Sequence, residues 1–363
     1  MSRVLLPVDS LDEVWPAMPR DARVGALLHS ASVGGDLVPT LTRLEALAAE
    51  GRFRLTALFG PQHGFESTTQ DNMVEWESFR HPRLDVPVFS LYGEHRQPTP
   101  AMLDEIDVLF VDLVDVGSRY YTFIWTLFLC MEACQERGIP VIVADRPNPI
   151  DGVTVEGEPQ RDDHLSFVGL HPLPHRHGKT IGELAELFRA ERFPDTVLTV
   201  LPLAHWDRNS YHDETGLAWV MPSPNMPSLD TALVYPGLCL FEGTTLSEGR
   251  GTTRPFELFG APGIDSEDLA SALRALGLPG CHFRPAPFQP AFQKHAGRPC
   301  GGAQLHVTDR RSFLPFHTGV AILSLIRGRY PENFDWTLPP YEYETKKLPI
   351  EILLGRPVGE VFA

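Results

Sequence analysis

Residues 107–148 read DVLFVDLVDVGSRYYTFIWTLFLCMEACQERGIPVIVADRPN, and this stretch decides the fold. The apolar run Asp107–Val114 is followed by a long apolar segment from about Tyr120 to Arg137 and by a second short run, Pro140–Ala144. Short aliphatic runs are typical of buried strands, whereas the middle segment has the length of a helix. A strand, a helix and a strand in this order predict two parallel strands joined by a crossover helix.

The same alternation extends outward along the first part of the chain. Further strands are predicted at Val24–His29, Arg54–Phe59, Val86–Tyr92 and Thr196–Leu201, and further helices at Leu37–Ala49, near Pro100–Glu105 and at Thr180–Arg192. Because several runs are apolar on both faces, we expect an α/β fold with a Rossmann-like, doubly wound, mainly parallel sheet over residues 1–240.

A chain of 363 residues exceeds what one hydrophobic core usually holds, so a second domain is expected. Residues 241–363 predict a smaller C-terminal α+β domain. Its predicted elements are a helix capped by Ser266 and running to Leu276, a strand at Gly301–Thr308 and a helix at Thr318–Arg329. The Gly- and Pro-rich segment Glu242–Pro262 predicts an ordered active-site loop that leads into this domain.

Composition excludes several classes of function. The formal net charge of −16 argues against nucleic acid as a partner, because phosphate binding needs clustered Lys and Arg. The longest apolar stretch, Tyr120–Met131, is too short to span a bilayer, so no membrane partner is expected. No signal peptide is evident at the start, and the five scattered cysteines are typical of buried thiols. These observations predict a cytoplasmic protein.

Polar residues follow five of the six predicted strands of the first domain. They are His29 and Ser30, then Gln62 and His63, then Gly93, Glu94 and His95, then Asp112, Asp115, Ser118 and Arg119, and finally Asp145, Arg146 and Asn148. In open α/β sheets ligands bind beyond the carboxyl ends of the strands. The sequence therefore predicts an active-site cleft at that edge of the sheet.

Some of these residues also have a purely structural interpretation. Asp112 lies within an apolar strand, so either a structural ion pair with Arg119 or Arg146 or a catalytic role is consistent with the pattern. The segment from Asp145 to Pro149 is equally compatible with a turn. His63, between Pro61 and Gly64, is poorly explained by packing and favours a function.

Familiar cofactor motifs are missing. There is no GxGxxG after the first strand and no GxxxxGK[ST], so no cofactor is expected. There is also no GxSxG nucleophile elbow. His171, His175 and His177 allow a zinc site as a less favoured alternative, and no metal is expected. In the segment 242–254, glycines permit close approach to a ligand, and Arg250 and Arg254 are suited to hold a carboxylate.

Several loops together resemble a known family. They are Gly60-Pro-Gln-His-Gly-Phe65, Gln70-Asp-Asn-Met-Val-Glu75, Ser90-Leu-Tyr-Gly93 with Pro98-Thr99, Asp115-Val-Gly-Ser-Arg-Tyr-Tyr121, Asp145-Arg-Pro-Asn-Pro149, His177-Gly-Lys-Thr-Ile-Gly-Glu-Leu-Ala185, Pro222-Ser-Pro-Asn-Met-Pro227, Phe241-Glu-Gly-Thr-Thr-Leu-Ser-Glu-Gly-Arg-Gly251 and Gly301-Gly-Ala-Gln-Leu-His-Val-Thr-Asp309. In this order they resemble the exo-β-N-acetylmuramidase (NamZ-like) family, formerly a domain of unknown function. The resemblance implies a glycoside hydrolase that removes terminal N-acetylmuramic acid from peptidoglycan fragments. It also implies a Rossmann-like domain, a smaller C-terminal domain and an active site in a cleft between them.

The chain departs from the family pattern at one position that matters for chemistry. Many members carry Pro-Glu-His-Gly where this chain has Pro61-Gln-His-Gly64, and Gln62 is no proton donor or acceptor at neutral pH. The Gln-His-Gly form therefore resembles a distinct branch, in which the family's catalytic glutamate has no counterpart at this position.

Glycosidases usually need two carboxyl groups. We expect Glu75 to act as the acid in place of Gln62, with Asp115 or Asp112 as its partner and His63 binding the sugar or relaying a proton. Predicted substrate-binding residues are Gln62, Asp112, Arg119, Tyr120, Arg146, Asn148, Glu242, Glu248 and Arg250. Of these, Arg119, Arg146 and Arg250 are candidates to bind an acidic substituent such as the lactyl carboxylate.

Other interpretations stay open. Tyr120, Tyr121 and Trp125 could form an apolar platform for a sugar, although their helical spacing fits core packing equally well. The chain could also be a sugar-binding protein without catalysis, or a metal-dependent hydrolase. The expected partner is a small carbohydrate or muropeptide, and the oligomeric state is not predicted.

Overall fold

The computed structural model describes residues 3–362 of the 363-residue chain. These residues form two compact units, each made of several chain segments. The first unit comprises the residues up to Gly117, Tyr121–Val153 and Gly178–Pro224. The second comprises Ser118–Tyr120, Thr154–His177 and the residues from Asn225 onward. The division expected between residues 240 and 241 stays a prediction.

The first unit is built on a twisted β-sheet. Its strands are β1 (Arg23–Leu27), β2 (Arg54–Gly60), β3 (Phe79–Arg80), β4 (Pro87–Ser90), β5 (Val108–Val111), β6 (Val141–Ala144) and β7 (Leu198–Leu201). Within the described residues the order is β3-β4-β2-β1-β5-β6-β7, and every neighbouring pair is parallel except β3 with β4. The expected mainly parallel sheet is confirmed. The sequence did not predict β3, because two exposed residues leave no apolar run.

The helices of this unit connect the strands. They are α1 (Leu11–Val14), α2 (Thr40–Ala49), α3 (Pro100–Leu103), α4 (Phe123–Arg137) and α5 (Ile181–Glu191), with 3-10 turns at Pro7–Ser10 and His212–Glu214. The chain first runs outward from β1 to β2 and β4, and then returns to β5 on the other side of β1. Since parallel crossovers are right-handed, α2 lies on one face of the sheet, and α4 and α5 lie on the other. This confirms the doubly wound topology.

The core explains why these segments form these elements. Val24, Ala26 and Leu58 of the sheet belong to one buried cluster with Leu44 and Leu47 of α2. The two leucines lie three residues apart and therefore on one face of the helix. Burying a leucine side chain contributes ~1.5–3 kcal/mol, so this contact fixes α2 against the sheet.

Two predicted helix starts in the first unit were wrong by three residues. Helix α2 begins at Thr40 rather than Leu37, because Pro39 disfavours helical geometry in the residue before it. Leu37 instead has a left-handed φ of 67° in the turn that precedes the helix. Helix α4 begins at Phe123 rather than near Tyr120. No helix within residues 3–362 is long and apolar enough to cross a membrane.

The second unit contains a smaller antiparallel sheet. Its strands are β8 (Leu258–Ala261), β9 (Cys281–Pro285) and β10 (Gly301–Val307), in the order β8-β10-β9. Its helices are α6 (Leu229–Leu238), α7 (Ser266–Ala275), α8 (Pro315–Arg329) and α9 (Pro349–Leu354), with 3-10 turns at Asp162–His164, Cys239–Gly243, Pro331–Asn333 and Val358–Glu360. The expected second, smaller α+β part is confirmed.

Three details of the second unit differ from the sequence prediction. Strand β8 occupies the end of the segment predicted as a loop from Glu242 to Pro262. The N-cap of α7 is Asp265 rather than Ser266, and its carboxylate accepts hydrogen bonds from two backbone N–H groups of the first turn. Helices α6 and α8 touch at Gly237 and Gly319, where an added Cβ would meet the opposing backbone at 1.9 and 2.3 Å.

Candidate active site in the first unit

The parallel strands bring the polar segments that follow them to one edge of the sheet. Gln62 and His63 follow β2, Asp112 and Asp115 follow β5, and Arg146 follows β6. Because the carboxyl ends of parallel strands lie at the same edge, these residues lie along it, as the strand pattern predicted.

A pocket opens at this edge. It lies where the strand order reverses between β1 and β5, and residues from the segments 31–37, 114–115, 146–149 and 212–220 line it. This position is the usual ligand site of doubly wound sheets. Two predicted site residues, Asp115 and Arg146, line the pocket.

Asp112 and Arg146 form a buried ion pair. Arg146 Nε donates to Asp112 Oδ1 at 2.5 Å, and Nη2 donates to Oδ2 at 2.7 Å. Thr40 Oγ1 donates to the same Oδ2 at 2.6 Å, and Asp112 is fully buried. These contacts match the ion-pair alternative for Asp112, with Arg146 as the partner. They leave its carboxylate occupied and give it the role of orienting Arg146.

Asp115 is held in a turn at the pocket wall. Its Oδ2 accepts a hydrogen bond from Gly117 N at 2.7 Å, and the residue is 5% exposed. Gly117 has a φ of 81°, and a Cβ there would lie 2.5 Å from Asn148 Oδ1, so only glycine fits. Asn148 itself accepts from Ile150 N and donates to Lys179 O, which holds the loop after β6 in place. Asn148 therefore supports the site rather than lining the pocket.

Gln62 and His63 are buried in the loop after β2. Gln62 Oε1 accepts a hydrogen bond from Thr122 Oγ1 at 2.6 Å. His63 Nδ1 lies 2.9 Å from Thr69 O, and because a carbonyl only accepts, Nδ1 carries the proton. His63 has a left-handed φ of 70°, a strained conformation that is concentrated at functional sites.

Glu75 lies in an exposed loop beside these residues. The neighbouring Trp76 donates from Nε1 to Pro61 O at 3.0 Å, which places the loop against Gln62 and His63. The Glu75 side chain is 54% exposed, and one carboxylate oxygen lies 3.9 Å from Arg96 Nη2. Glu75 is not among the residues that line the pocket.

Two further titratable groups hold the loops in position. His29 accepts from Val114 N at its Nε2 and lies 3.2 Å from Pro222 O at its Nδ1. Burial, together with nearby Arg146, lowers the pKa of His29 to about 3, so the ring stays neutral and keeps both contacts. The ring thus connects the β1 edge to the loops that bound the pocket.

Asp145 connects the loop after β6 to the start of α5. Its carboxylate accepts from Gly182 N at 2.8 Å, from Thr180 Oγ1 at 3.0 Å and from Arg146 N at 2.9 Å. Burial raises the pKa of Asp145 to about 6, although these hydrogen bonds favour the charged form. The Asp145 carboxyl therefore supports the structure, and its pKa is higher than that of an ordinary aspartate.

Arg119 and Tyr120 belong to the second unit and are buried there. Arg119 Nη1 donates to Gln160 Oε1 at 3.2 Å, Nη2 donates to Leu353 O, and burial lowers its pKa to about 10. Tyr120 is 2% exposed and donates to Pro236 O at 3.1 Å. Within their unit both residues serve packing, and neither presents a surface to a ligand.

The proposed aromatic platform is also core structure. Trp125 is fully buried in α4, where its ring packs near Phe128 and Phe188, with ring centroids 6.2 and 5.8 Å away. Tyr121 is 6% exposed, and its ring centroid lies 4.8 Å from that of Phe123. The spacing of these aromatic residues in the sequence therefore reflects packing in the core.

Glu242, Glu248 and Arg250 form a buried charged cluster in the second unit. Arg250 Nη2 donates to Glu242 Oε1 at 2.7 Å, and its Nε lies 3.5 Å from Glu248 Oε1. Lys294 Nζ lies 3.0 Å from Glu248, and Tyr341 donates to Glu242 at 2.7 Å. Burial opposes ionisation of Glu242, but Arg250 beside it lowers the pKa below its usual range. The sequence indicated three members of this cluster and missed Lys294 and Tyr341.

The three histidines of the alternative zinc hypothesis lie in the second unit. Among residues 3–362 no group of three His, Cys, Asp or Glu has the arrangement of a metal site. His175 instead stacks on Phe316 with ring centroids 3.8 Å apart, and burial lowers its pKa well below the usual range.

The sequence missed one wall of the pocket. His212, Trp219 and the neighbours of Trp219 line it, and so does Leu37, which is 55% exposed. The His212 and Trp219 rings meet edge to face at 5.1 Å. A signal was present, because the motif Pro222–Pro227 follows this wall directly, but nothing in local spacing connects it with β1 or β6.

Comparisons with known proteins agree with this architecture. The profile of the N-terminal domain of the exo-β-N-acetylmuramidase NamZ family matches residues 24–230, and that of the C-terminal domain matches residues 233–358. The peptidoglycan β-N-acetylmuramidase NamZ of Bacillus subtilis (strain 168) is 45% identical over 334 residues, which cover 92% of this chain and 80% of that protein.

Two solved structures of DUF1343 family proteins from Bacteroides fragilis NCTC 9343 are similar as well. The first match has a TM-score of 0.86 at 30% identity, and it covers 98% of this chain and 89% of the chain in that structure. The second match has a TM-score of 0.71 at 26% identity, and it covers 98% of this chain and 88% of the chain in that structure. The two profiles together span most of the chain. The chain therefore belongs to the exo-β-N-acetylmuramidase NamZ family.

Proposed function

We propose that this chain is a glycoside hydrolase that removes terminal β-linked N-acetylmuramic acid from peptidoglycan fragments. The observation that carries the proposal is the 45% identity to a peptidoglycan β-N-acetylmuramidase across 92% of the chain. The pocket at the carboxyl edge of the sheet supports it, because it lies at the usual ligand position of such sheets and its wall includes the buried Asp115.

Glycoside hydrolysis needs an acid for the leaving oxygen and a second carboxyl group near the anomeric carbon. We assign the second role to Asp115, which is buried at the pocket wall. The acid role goes to Glu75, because Gln62 cannot supply a proton and the Glu75 loop packs against the Gln62 loop through Trp76.

The exposure of Glu75 constrains this assignment. A catalytic acid works best in a desolvated site, whereas this side chain is 54% exposed. A substrate lying across the loop would bury the carboxyl group and separate it from water. His63 lies in the same buried loop as Gln62 and is the candidate to bind a sugar hydroxyl.

A cytoplasmic role in cell-wall recycling fits the cysteine chemistry. All five cysteines are free, which suits a reducing compartment. Fractionation of the producing cells tests this part. Recovery of the protein from the medium or the cell envelope would overturn it.

The reaction is tested with the purified protein and the 4-nitrophenyl β-glycosides of N-acetylmuramic acid and N-acetylglucosamine, between pH 5 and 8. Release of 4-nitrophenol from the muramic substrate alone is expected. Saturable binding of muramic sugars without release at any pH would favour a binding protein instead.

A further inference from the structure

Three large apolar side chains are exposed in the loop that carries Glu75 and in the strand that follows it. Met73 is 43% exposed, Val74 is 45% exposed, and Phe79, in β3, is 40% exposed. These three residues form the apolar patch. The Phe79 ring meets that of Trp76 edge to face, with centroids 6.4 Å apart, which joins β3 to the loop. Single exposed apolar residues are ordinary, whereas a group of them is typical of a surface that binds another molecule.

The loop that presents the apolar patch is held in a defined conformation. Trp76 donates from Nε1 to Pro61 O at 3.0 Å, and its backbone N–H donates to Tyr92 O at 3.1 Å. An added Cβ at Gly60 would lie 2.8 Å from the Trp76 ring, so the ring packs directly on the end of β2. Met73 has a left-handed φ of 55°, a strained conformation that is concentrated at functional sites. The patch is thus fixed beside the carboxyl ends of β2 and β4.

The apolar patch lies on the leaving-group side of the proposed reaction. A general acid has to reach the glycosidic oxygen, so the sugar that leaves lies against the acid. Glu75 directly follows Val74 and lies two residues from Met73, and consecutive Cα atoms are ~3.8 Å apart. The inference therefore rests on the proposed function, in which Glu75 is the acid. The pocket lies between β1 and β5, so a bound glycan runs from there past β2 towards β4.

The charges around the apolar patch favour a neutral sugar. Glu66 in the same loop and Glu94 after β4 are exposed carboxylates. Two arginines are near, but each already lies beside a carboxylate, Arg80 at 2.8 Å and Arg96 at 3.9 Å. A leaving group with its own carboxylate meets like charges here. N-acetylglucosamine, which follows the terminal muramic acid in the proposed substrate, carries no carboxylate.

We propose that the apolar patch of Met73, Val74 and Phe79 binds the neutral sugar on the leaving side of the scissile bond. The C–H face of this sugar packs against the three side chains while Glu75 faces the glycosidic oxygen. The patch then sets the preference for the leaving group, because a substrate with a sugar at this position gains contacts that a small leaving group lacks.

The test compares two substrates that differ only in the leaving group. One is N-acetylmuramic acid β-linked to N-acetylglucosamine, and the other is N-acetylmuramyl β-fluoride, whose leaving group is a single atom. The double variant Met73→Ser, Val74→Ser of the full-length protein is expected to lower kcat/KM for the disaccharide about 10-fold, since this factor corresponds to roughly 50–60 Å² of covered apolar surface. Its kcat/KM for the fluoride is expected to stay at the wild-type value.

Val197→Ser is the matched control for the valine substitution. Val197 is 60% exposed and belongs to the same unit, but it precedes β7 at the amino end of the strand, on the opposite edge of the sheet. The control is expected to keep the wild-type kcat/KM for both substrates. Thermal melting confirms that each variant is folded.

Three results would overturn the inference. They are an unchanged kcat/KM of the double variant for the disaccharide, an equal loss for both substrates, as a general disturbance of the site would produce, and hydrolysis of the fluoride without the disaccharide by the wild type. In each of these cases the wild type still releases muramic acid, so the proposed function stands. Hydrolysis of neither substrate by the folded wild type removes the proposed function and this inference with it.

Discussion

Arg146 contacts Asp112 through two guanidinium nitrogens, at 2.5 and 2.7 Å, and this pair joins the ends of β5 and β6 beneath the pocket. Two parallel hydrogen bonds fix the plane of the guanidinium group. The orientation leaves Nη1 as the nitrogen for a ligand. Asp112 is thus a positioning residue, and the ion pair connects the fold of the sheet to the chemistry of its edge.

Removing Asp112 is expected to destabilise the protein strongly. The Asp112→Ala change leaves the charge of Arg146 buried without its partner, which costs ~3–5 kcal/mol. Urea unfolding measures the loss. The control is Asp104→Ala, which breaks an exposed pair with Arg137 and is expected to cost less than ~1 kcal/mol. Equal stability of the two variants would contradict the role given to Asp112.

Asp145 is expected to make stability depend on pH between about 4 and 6. Its pKa is about 6 in the folded protein, above its ordinary value of 3.8. In this window the folded state holds a proton that the unfolded state has lost, so the contribution of this group to stability falls as pH rises, by about 3 kcal/mol in total. The free energy of unfolding of the wild type minus that of Asp145→Asn isolates the effect. A difference that stays constant from pH 4 to 7 would contradict it.

Glu75 is expected to be needed for turnover. Loss of a general acid lowers kcat by ~10²- to 10⁴-fold when the leaving group is a sugar hydroxyl. Glu75→Gln should therefore lower kcat at least ~100-fold with a disaccharide of N-acetylmuramic acid β-linked to N-acetylglucosamine. Glu77→Gln provides the control, since Glu77 is an exposed carboxylate two residues away in the same loop. Near-normal kcat in Glu75→Gln would show that another group is the acid.

Trp219 is expected to report on ligands in the pocket. Its ring lies on the wall, so N-acetylmuramic acid should change the tryptophan emission, and Trp219→Phe should abolish most of that change. Trp219→Ala should weaken binding by about 3- to 10-fold through lost ring contact. Trp336→Phe in the second unit serves as the control. A signal that survives in Trp219→Phe would place the sugar elsewhere.

The strands and the edge of the sheet could be predicted because burial on both faces leaves continuous apolar runs such as Asp107–Val114. Parallel pairing then places the ends of those runs together, which is why Asp115 and Arg146 were found. The Rossmann-like class followed from the same alternation. These features depend on local patterns and one topological rule.

Other features depend on contacts between distant segments. Arg119 lies four residues after Asp115, yet the chain enters the second unit at Ser118, directly after the left-handed turn at Gly117. Proximity in sequence therefore did not reveal that Arg119 belongs to the other unit. Trp219 meets the loops after β1 and β6 only through folding, so its spacing in the sequence carried no signal.

The central claim is that the chain releases muramic acid from the non-reducing end of a glycan. Mass spectrometry of two peptidoglycan disaccharides, one ending in N-acetylmuramic acid and the other in N-acetylglucosamine at that end, tests it most directly. The account predicts free N-acetylmuramic acid and N-acetylglucosamine from the first disaccharide, and no cleavage of the second. Cleavage of the second disaccharide alone, or of neither while the protein is folded, would contradict it.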